Sequence, residues 1–308
     1  MFDTSRKSRQ SQDARRTWVC QIRMKAVATV FAVGAAFGLV SAVEAPLAYA
    51  ESSCPDYLAV GVPGSNQGFD DMATWKAAGF PFDETLYGEQ VYEVLTTLKS
   101  ELPAGSVSAL PVLYPAQGVD GIDPAAAKLA YNFSVYKMSK DKGYAAAYAL
   151  LDRQAKRCSS TKFFLVGYSQ GAHIAADLAQ TVFHEGSPVD RTRIAGVALL
   201  ADPGYNGSSP RATEFIYTDD KLAKDPDHWR IHGALGARAE FDKADPVISI
   251  CIYGDPICDN NSVGAGGLNA KAAADKAWMH GLYTGHNYGD SKSLAQWLGQ
   301  EIAGRMDD

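Results

Sequence analysis

From residue 57 onward, short apolar runs alternate with longer stretches in which apolar residues recur every three or four positions. Tyr57-Leu-Ala-Val-Gly61 reads as a strand, and Pro63-Gly64-Ser65-Asn66 as the tight loop that ends it. Residues 84–101 bring Leu86, Val91, Val94, Leu95 and Leu98 onto one helical face. Val107 to Tyr114 is a buried strand closed by Pro115, and Ser139 caps a helix that runs through Tyr144, Tyr148 and Leu151 to Cys158. Phe163-Phe-Leu-Val166 is the next strand, 170–183 a helix and Ile194 to Ala201 another strand. Residues 204–245 are polar and irregular, Val247 to Tyr253 is the last clear strand, and helical patterns cover 268–283 and 291–304. Strands alternating with helices predict an α/β fold, a mostly parallel sheet covered by helices on both faces. Sites in such sheets form beyond the carboxyl ends of the strands.

The first fifty residues differ in kind. A basic stretch holding Arg15, Arg16, Arg23 and Lys25 precedes an apolar run from Ala26 to Val43, and Ala48-Tyr49-Ala50 follows. That order reads as an export signal cleaved after Ala50, with an uncleaved membrane anchor as the alternative. Residues 51–308 contain no linker, repeat or low-complexity stretch and are read as one domain. The composition, 46% hydrophobic and 21% charged, is that of a globular protein. A formal net charge of −6 offers no basic face for nucleic acid. The expected partner is a small ester or lipid, at a cell-envelope or membrane surface or free, acted on by a monomer.

Of the five cysteines, Cys20 lies in the segment expected to be removed. Cys54, Cys158, Cys251 and Cys258 remain, an even set that implies two disulfides with three possible connectivities. Neither a CxxC pair nor a Cys/His cluster has zinc spacing, so no metal is expected, and nothing implies a cofactor.

The strongest chemical signal is Gly167-Tyr168-Ser169-Gln170-Gly171, set between an apolar strand and a helix. Gly-x-Ser-x-Gly on a strand-to-helix turn is the pattern of a nucleophile elbow: the serine takes a strained conformation, and the glycines let strand and helix pass closely. The helix amino terminus then favours negative charge developing at the serine. A serine hydroxyl needs a base, and the base an orienting acid, here expected in the order Ser, acid, His. Asp255 directly follows a strand and lies between Cys251 and Cys258, which makes it the preferred acid. Asp202, also after a strand, is its rival.

Only His280 and His286 follow Asp255; His173 sits one helical turn past the serine, and His184, His228 and His232 precede the acid. His280 falls inside a helical pattern, whereas His286 follows Gly285 in a loop. His286 is therefore preferred as the base, with His280 as the alternative. An oxyanion needs two donors. The backbone N–H of Gln170 supplies one, and Ser65 in the loop after the first strand the other.

Taken together these residues resemble the cutinase family of secreted serine esterases across nearly the whole of 51–308. The carriers are the Gly-Tyr-Ser-Gln-Gly elbow eleven residues after Cys158, Cys54 ahead of Ser65, and Cys251-x₃-Asp255-x₂-Cys258. The resemblance implies a single-domain α/β-hydrolase, disulfides Cys54–Cys158 and Cys251–Cys258, and an accessible nucleophile. Extra residues between Ala201 and Val247 and a Gly/Ala-rich insert after Cys258 make the chain more similar to the larger actinobacterial cell-envelope members. The family's His-x-x-Tyr occurs as His280-Gly-Leu-Tyr283, while the long separation from the acid favours His286. The implied function is hydrolysis of lipid or cell-envelope acyl esters, thioesters or phospholipids outside the cytoplasm. The alternatives are acyl transfer to a cell-wall sugar and a non-catalytic envelope protein.

Overall fold

Apolar runs too short for helices, with both faces buried, form the centre of a seven-stranded sheet. In this computed structural model the described residues are 54–67, 84–117, 135–218, 221–224, 231–259, 275–288 and 292–305. All fall within one compact unit, Glu51–Asp308. The predicted export signal with Cys20, His228 and residues 268–274 of the predicted helix lie outside them.

The strands are β1 (Tyr57–Val62), β2 (Val107–Pro111), β3 (Lys162–Tyr168), β4 (Ile194–Leu200), β5 (Ala212–Thr218), β6 (Lys221–Lys224) and β7 (Val247–Ile252). Their spatial order is β2-β1-β3-β4-β7-β5-β6. Every pairing is parallel except β5 with β6. The α-helices that lie wholly within the described residues are α1 (Glu84–Tyr87), α2 (Glu89–Glu101), α3 (Val135–Arg157), α4 (Gln170–Glu185) and α5 (Leu294–Gly304).

The alternation of side chains along each strand divides the interior in two. Ala59, Phe164, Val166, Ala198, Leu200 and Ile250 share one core with Val91, Val94, Leu95 and Leu98 of α2 and Leu294, Leu298 and Ile302 of α5. Leu58, Val60, Leu165, Val197, Leu199 and Val247 share the other with Leu150 and Leu151 of α3 and Ile174, Leu178 and Val182 of α4. Buried on both sides, the central strands β1, β3, β4 and β7 show no polar alternation, as parallel strands in a two-layered cover do not.

Four expectations change. The helix over 84–101 is broken at Gly88, whose φ of 71° lies in the left-handed region; a side chain there would strike Gln67. Ser139 is no cap: α3 starts at Val135, and the buried Ser139 hydroxyl accepts from the Gln117 N–H at 2.9 Å and donates to Gln170 Oε1 at 3.2 Å. The segment 204–245 contributes β5 and β6, an antiparallel pair that extends the sheet beyond β7. Finally, in the described part of 268–283, Ala277–Gly281 is a 3₁₀ turn.

Candidate active site

The chain leaves β1 toward β2 on one side and reaches β3 on the other, so β1 and β3 are neighbours whose connections run in opposite directions. A parallel sheet opens a crevice at such a point, beyond the strand carboxyl ends. The loops holding Ser65 and Ser169 both emerge there, with Val62 level with Gly167.

Ser169 joins β3 to α4 with φ 54° and ψ −121°, a conformation costly for a residue with a side chain. Its N–H donates to the Leu200 carbonyl of β4 at 2.9 Å, which holds the strained turn against the sheet. A methyl group on Gly167 would run into the Gly171 carbonyl, and one on Gly171 into the Val62 and Pro63 carbonyls. Both glycines are thus required by the close crossing of strand, helix and the loop after β1.

Ser65 lies half-buried in that loop. Tyr114 donates to the Pro63 carbonyl at 2.6 Å, and the Asn66 N–H donates to the Ala116 carbonyl at 2.6 Å. Gln170 opens α4, where a backbone N–H has no acceptor within the helix. Its side chain is fully buried, receiving the Ser139 hydroxyl at 3.2 Å and donating to the Tyr136 carbonyl at 3.4 Å.

The predicted acid, Asp255, sits beyond β7. Asp255 is fully buried, and the Cys251–Cys258 disulfide, with Cα atoms 5.7 Å apart, closes the loop around it. The other bond, Cys54–Cys158, ties the start of the described chain to the end of α3, with a Cα separation of 5.4 Å. Asp255 Oδ1 accepts the Ile257 N–H at 2.9 Å, and Oδ2 accepts the Tyr283 hydroxyl at 2.8 Å. Tyr283 in turn accepts the Ile252 N–H at 3.1 Å. Burial, then the neighbouring carboxylate of Asp255, pushes the Tyr283 hydroxyl well above its ordinary pKa, so it stays a donor.

The histidine between acid and serine is His280. Its Nε2 lies 3.0 Å from Ser169 Oγ, and its Nδ1 lies 2.9 and 3.0 Å from the two Asp255 oxygens. This corrects the preference for His286. That preference assumed a continuous helix over 268–283, but a 3₁₀ turn spans 277–281 and carries His280 to the strand ends. Past Gly285, His286 has its Nδ1 3.4 Å from the Thr284 carbonyl and its ring edge-on to Tyr217 at 5.8 Å. Tyr168 and Tyr283, which position His280 and Asp255, were not singled out as site residues. The His-x-x-Tyr spacing was the signal available for Tyr283.

Asp202, the rival acid, is engaged elsewhere. Both its oxygens accept from Arg238, at 2.7 and 2.8 Å, and a third Arg238 N–H reaches Asp177 at 2.8 Å. Asp177 lies on α4 two turns past Ser169, so this buried arginine links residues 231–245 to the helix that starts just after Ser169. His173, between them on α4, has Nδ1 3.2 Å from the Tyr136 hydroxyl. Burial pushes its pKa down to about 4, against the opposing pull of Asp177.

A doubly covered parallel sheet, with a serine in a strained strand-to-helix turn and an acid and histidine following later strands, defines the α/β-hydrolase class. The particular lineage comes from comparison with known proteins. Residues 81–277 match the Cutinase family, and the chain belongs to that family. The match takes in Ser169, Gln170 and Asp255 and ends three residues before His280. The chain is 37% identical over 161 residues to the carboxylesterase Culp6 homolog of Corynebacterium glutamicum, a stretch covering 48% of this chain and 52% of that protein. The match thus spans about half the length of that relative. Among solved structures, the catalytic core domain of acetyl xylan esterase from Trichoderma reesei superposes with a TM-score of 0.50 at 20% identity. It covers 83% of this chain and 98% of that one, a likeness of fold.

Proposed function

We propose that this protein hydrolyses carboxylic esters through an acyl-enzyme on Ser169. The observation that carries this reading is the unbroken polar chain from Ser169 Oγ through His280 to Asp255, with links of 3.0 and 2.9 Å. With Nδ1–H donated to Asp255, His280 Nε2 is free to take the serine proton as Oγ attacks the ester carbonyl. The carbonyl electrons move to oxygen, where the Gln170 N–H and Ser65 stabilise the charge. When the intermediate collapses, the bond to the alcohol breaks and His280 returns the proton to the departing oxygen. Water activated by the same histidine then releases the acid and restores Ser169.

The lipid, thioester and phospholipid options belong to the acyl donor and are distinguished by substrate profile. Export to the cell exterior or envelope is part of the same proposal. Two disulfides support it, because such bonds persist in oxidising compartments. The direct experiment is turnover of short p-nitrophenyl esters together with labelling by a fluorophosphonate probe. The wild type is expected to hydrolyse and to label, and Ser169→Ala to do neither. Hydrolysis by Ser169→Ala at the wild-type rate overturns the assignment; an unlabelled, inactive wild type makes the protein a non-catalytic member of its fold.

A further inference from the structure

Resting on that reading, we propose that Ser139 is a positioning residue that fixes the angle between the two oxyanion donors, the Gln170 N–H and the Ser65 loop. A serine inside a helix often turns its hydroxyl back onto a carbonyl of its own helix. Ser139, four residues into α3 and 2% exposed, directs its hydroxyl elsewhere. The hydroxyl accepts the Gln117 N–H at 2.9 Å and donates to Gln170 Oε1 at 3.2 Å. The Gln170 side chain closes the circuit, its Nε2 donating to the Gln117 carbonyl at 3.5 Å and to the Tyr136 carbonyl at 3.4 Å. Groups from the loop after β2, from α3 and from the start of α4 are thus tied into one ring of hydrogen bonds.

The same loop holds the other donor. Ala116, next to Gln117, is 1% exposed and has φ 45°, a left-handed conformation that a residue with a side chain keeps only where its surroundings hold it. Its carbonyl accepts the N–H of Asn66, the residue after Ser65, at 2.6 Å. Tyr114, two residues before Ala116, donates to the Pro63 carbonyl at 2.6 Å. The segment 114–117 is therefore bonded to the Ser65 loop on one side and to Gln170 on the other. Ser139, on a helix of 23 residues, is the fixed point to which the end of that segment is attached. An oxyanion hole works because its donors are aimed before the charge develops. Releasing Gln117 and the Gln170 amide lets both donors drift while the ester still binds.

The test uses p-nitrophenyl acetate and p-nitrophenyl thionoacetate, which differ in one atom, the carbonyl oxygen replaced by sulfur. Sulfur is a larger and weaker hydrogen-bond acceptor, so the ratio of kcat/KM on the two esters reads how well the donors fit an oxyanion. Measured on one preparation, the ratio is independent of the fraction of enzyme folded. Ser139→Ala is expected to lower kcat on the oxygen ester roughly tenfold with KM little changed, and to lower the oxygen-to-sulfur ratio at least about threefold. Gln170→Met keeps the backbone N–H and cuts the same ring from the other side. It is expected to lower the ratio as much, and the double variant no further. If Ser139→Ala does not fold, Gln170→Met carries the test alone. An equal fall on both esters, or losses in ratio that add in the double variant, overturns the positioning role and leaves the esterase reading standing. A wild type that cleaves neither ester removes the esterase reading, and the positioning role with it.

Discussion

Tyr168 and His280 are stacked, ring centroids 4.9 Å apart and planes 26° from parallel, and the Tyr168 hydroxyl donates to the His280 carbonyl at 2.7 Å. The residue before Ser169 thus holds both the ring and the backbone of His280. Burial, then the charge of Asp255, pushes the Tyr168 hydroxyl well above its ordinary pKa, so the bond persists across the working range. Tyr168→Phe keeps the stack and loses the bond. It is expected to lower kcat by about tenfold, with Tyr168→Ala lowering it further, since misplacing a catalytic group by about 1 Å can cost about a hundredfold. Steady-state kinetics on one short ester checks the order.

His280→Ala and His286→Ala separate the two histidines. Removing His280 takes away the only imidazole against Ser169 among the described residues, and kcat should fall by about 10⁴ or more. His286→Ala should retain kcat within a few-fold. The reverse result would return the base to His286.

Tyr283→Phe leaves Asp255 without one hydrogen bond and the buried Ile252 N–H without its acceptor. An unsatisfied buried donor costs about 1–3 kcal/mol, so Tm should fall by a few degrees. Because Asp255 also orients His280, kcat should fall with KM little changed. A Tm shift with unaltered kcat would make Tyr283 structural only.

Arg238 joins Asp202 and Asp177 with its side chain 8% exposed, and Asp202 is 1% exposed. Arg238→Met leaves Asp202 buried without its counter-ion, at a cost of about 3–5 kcal/mol. The pair Arg238→Met with Asp202→Asn should recover part of that loss, because the unpaired charge is gone. Denaturant unfolding of the three forms measures it.

His173 makes stability depend on pH. Its folded pKa of about 4 lies below the ordinary value of 6.5, so between those values the unfolded chain binds a proton that the folded chain refuses. Folding is favoured above pH 6.5 and loses stability as pH falls through 6.5 toward 4, by up to about 3 kcal/mol. Asp177 adds to the loss at the lower end. Burial alone would raise its pKa, but His173, Arg238 and Lys140 outweigh that and lower it, so its stabilisation fades once the carboxylate protonates. His173→Gln should flatten the decline of Tm between pH 6.5 and 4, and an unchanged slope would place the effect elsewhere.

The runs 57–61, 163–166 and 247–253 read as strands because local order and burial agree: an apolar run with no helical stripe can only be covered on both faces. Ser169 was legible for a similar reason, since the two glycines that let its turn form stand within two residues of it. The framing of Asp255 by Cys251 and Cys258 is likewise local. Residues 212–218 and 221–224 were not legible as strands, because β5 takes its partners from β7, more than thirty residues away, and its own pattern is polar enough to pass for a loop. The choice between His280 and His286 belonged to tertiary structure for the same reason. A 3₁₀ turn and a helix share nearly the same local pattern, and what sets this one is the grip of Tyr168, 112 residues earlier, on the His280 carbonyl. The sequence by itself determined the fold class, and it located the Ser169 turn and the cysteine frame of Asp255, where the deciding contacts lie within a few residues. Only the tertiary structure decided which histidine lies between Ser169 and Asp255 and the use of Asp202 as a counter-ion, because each depends on groups brought together from separate strands.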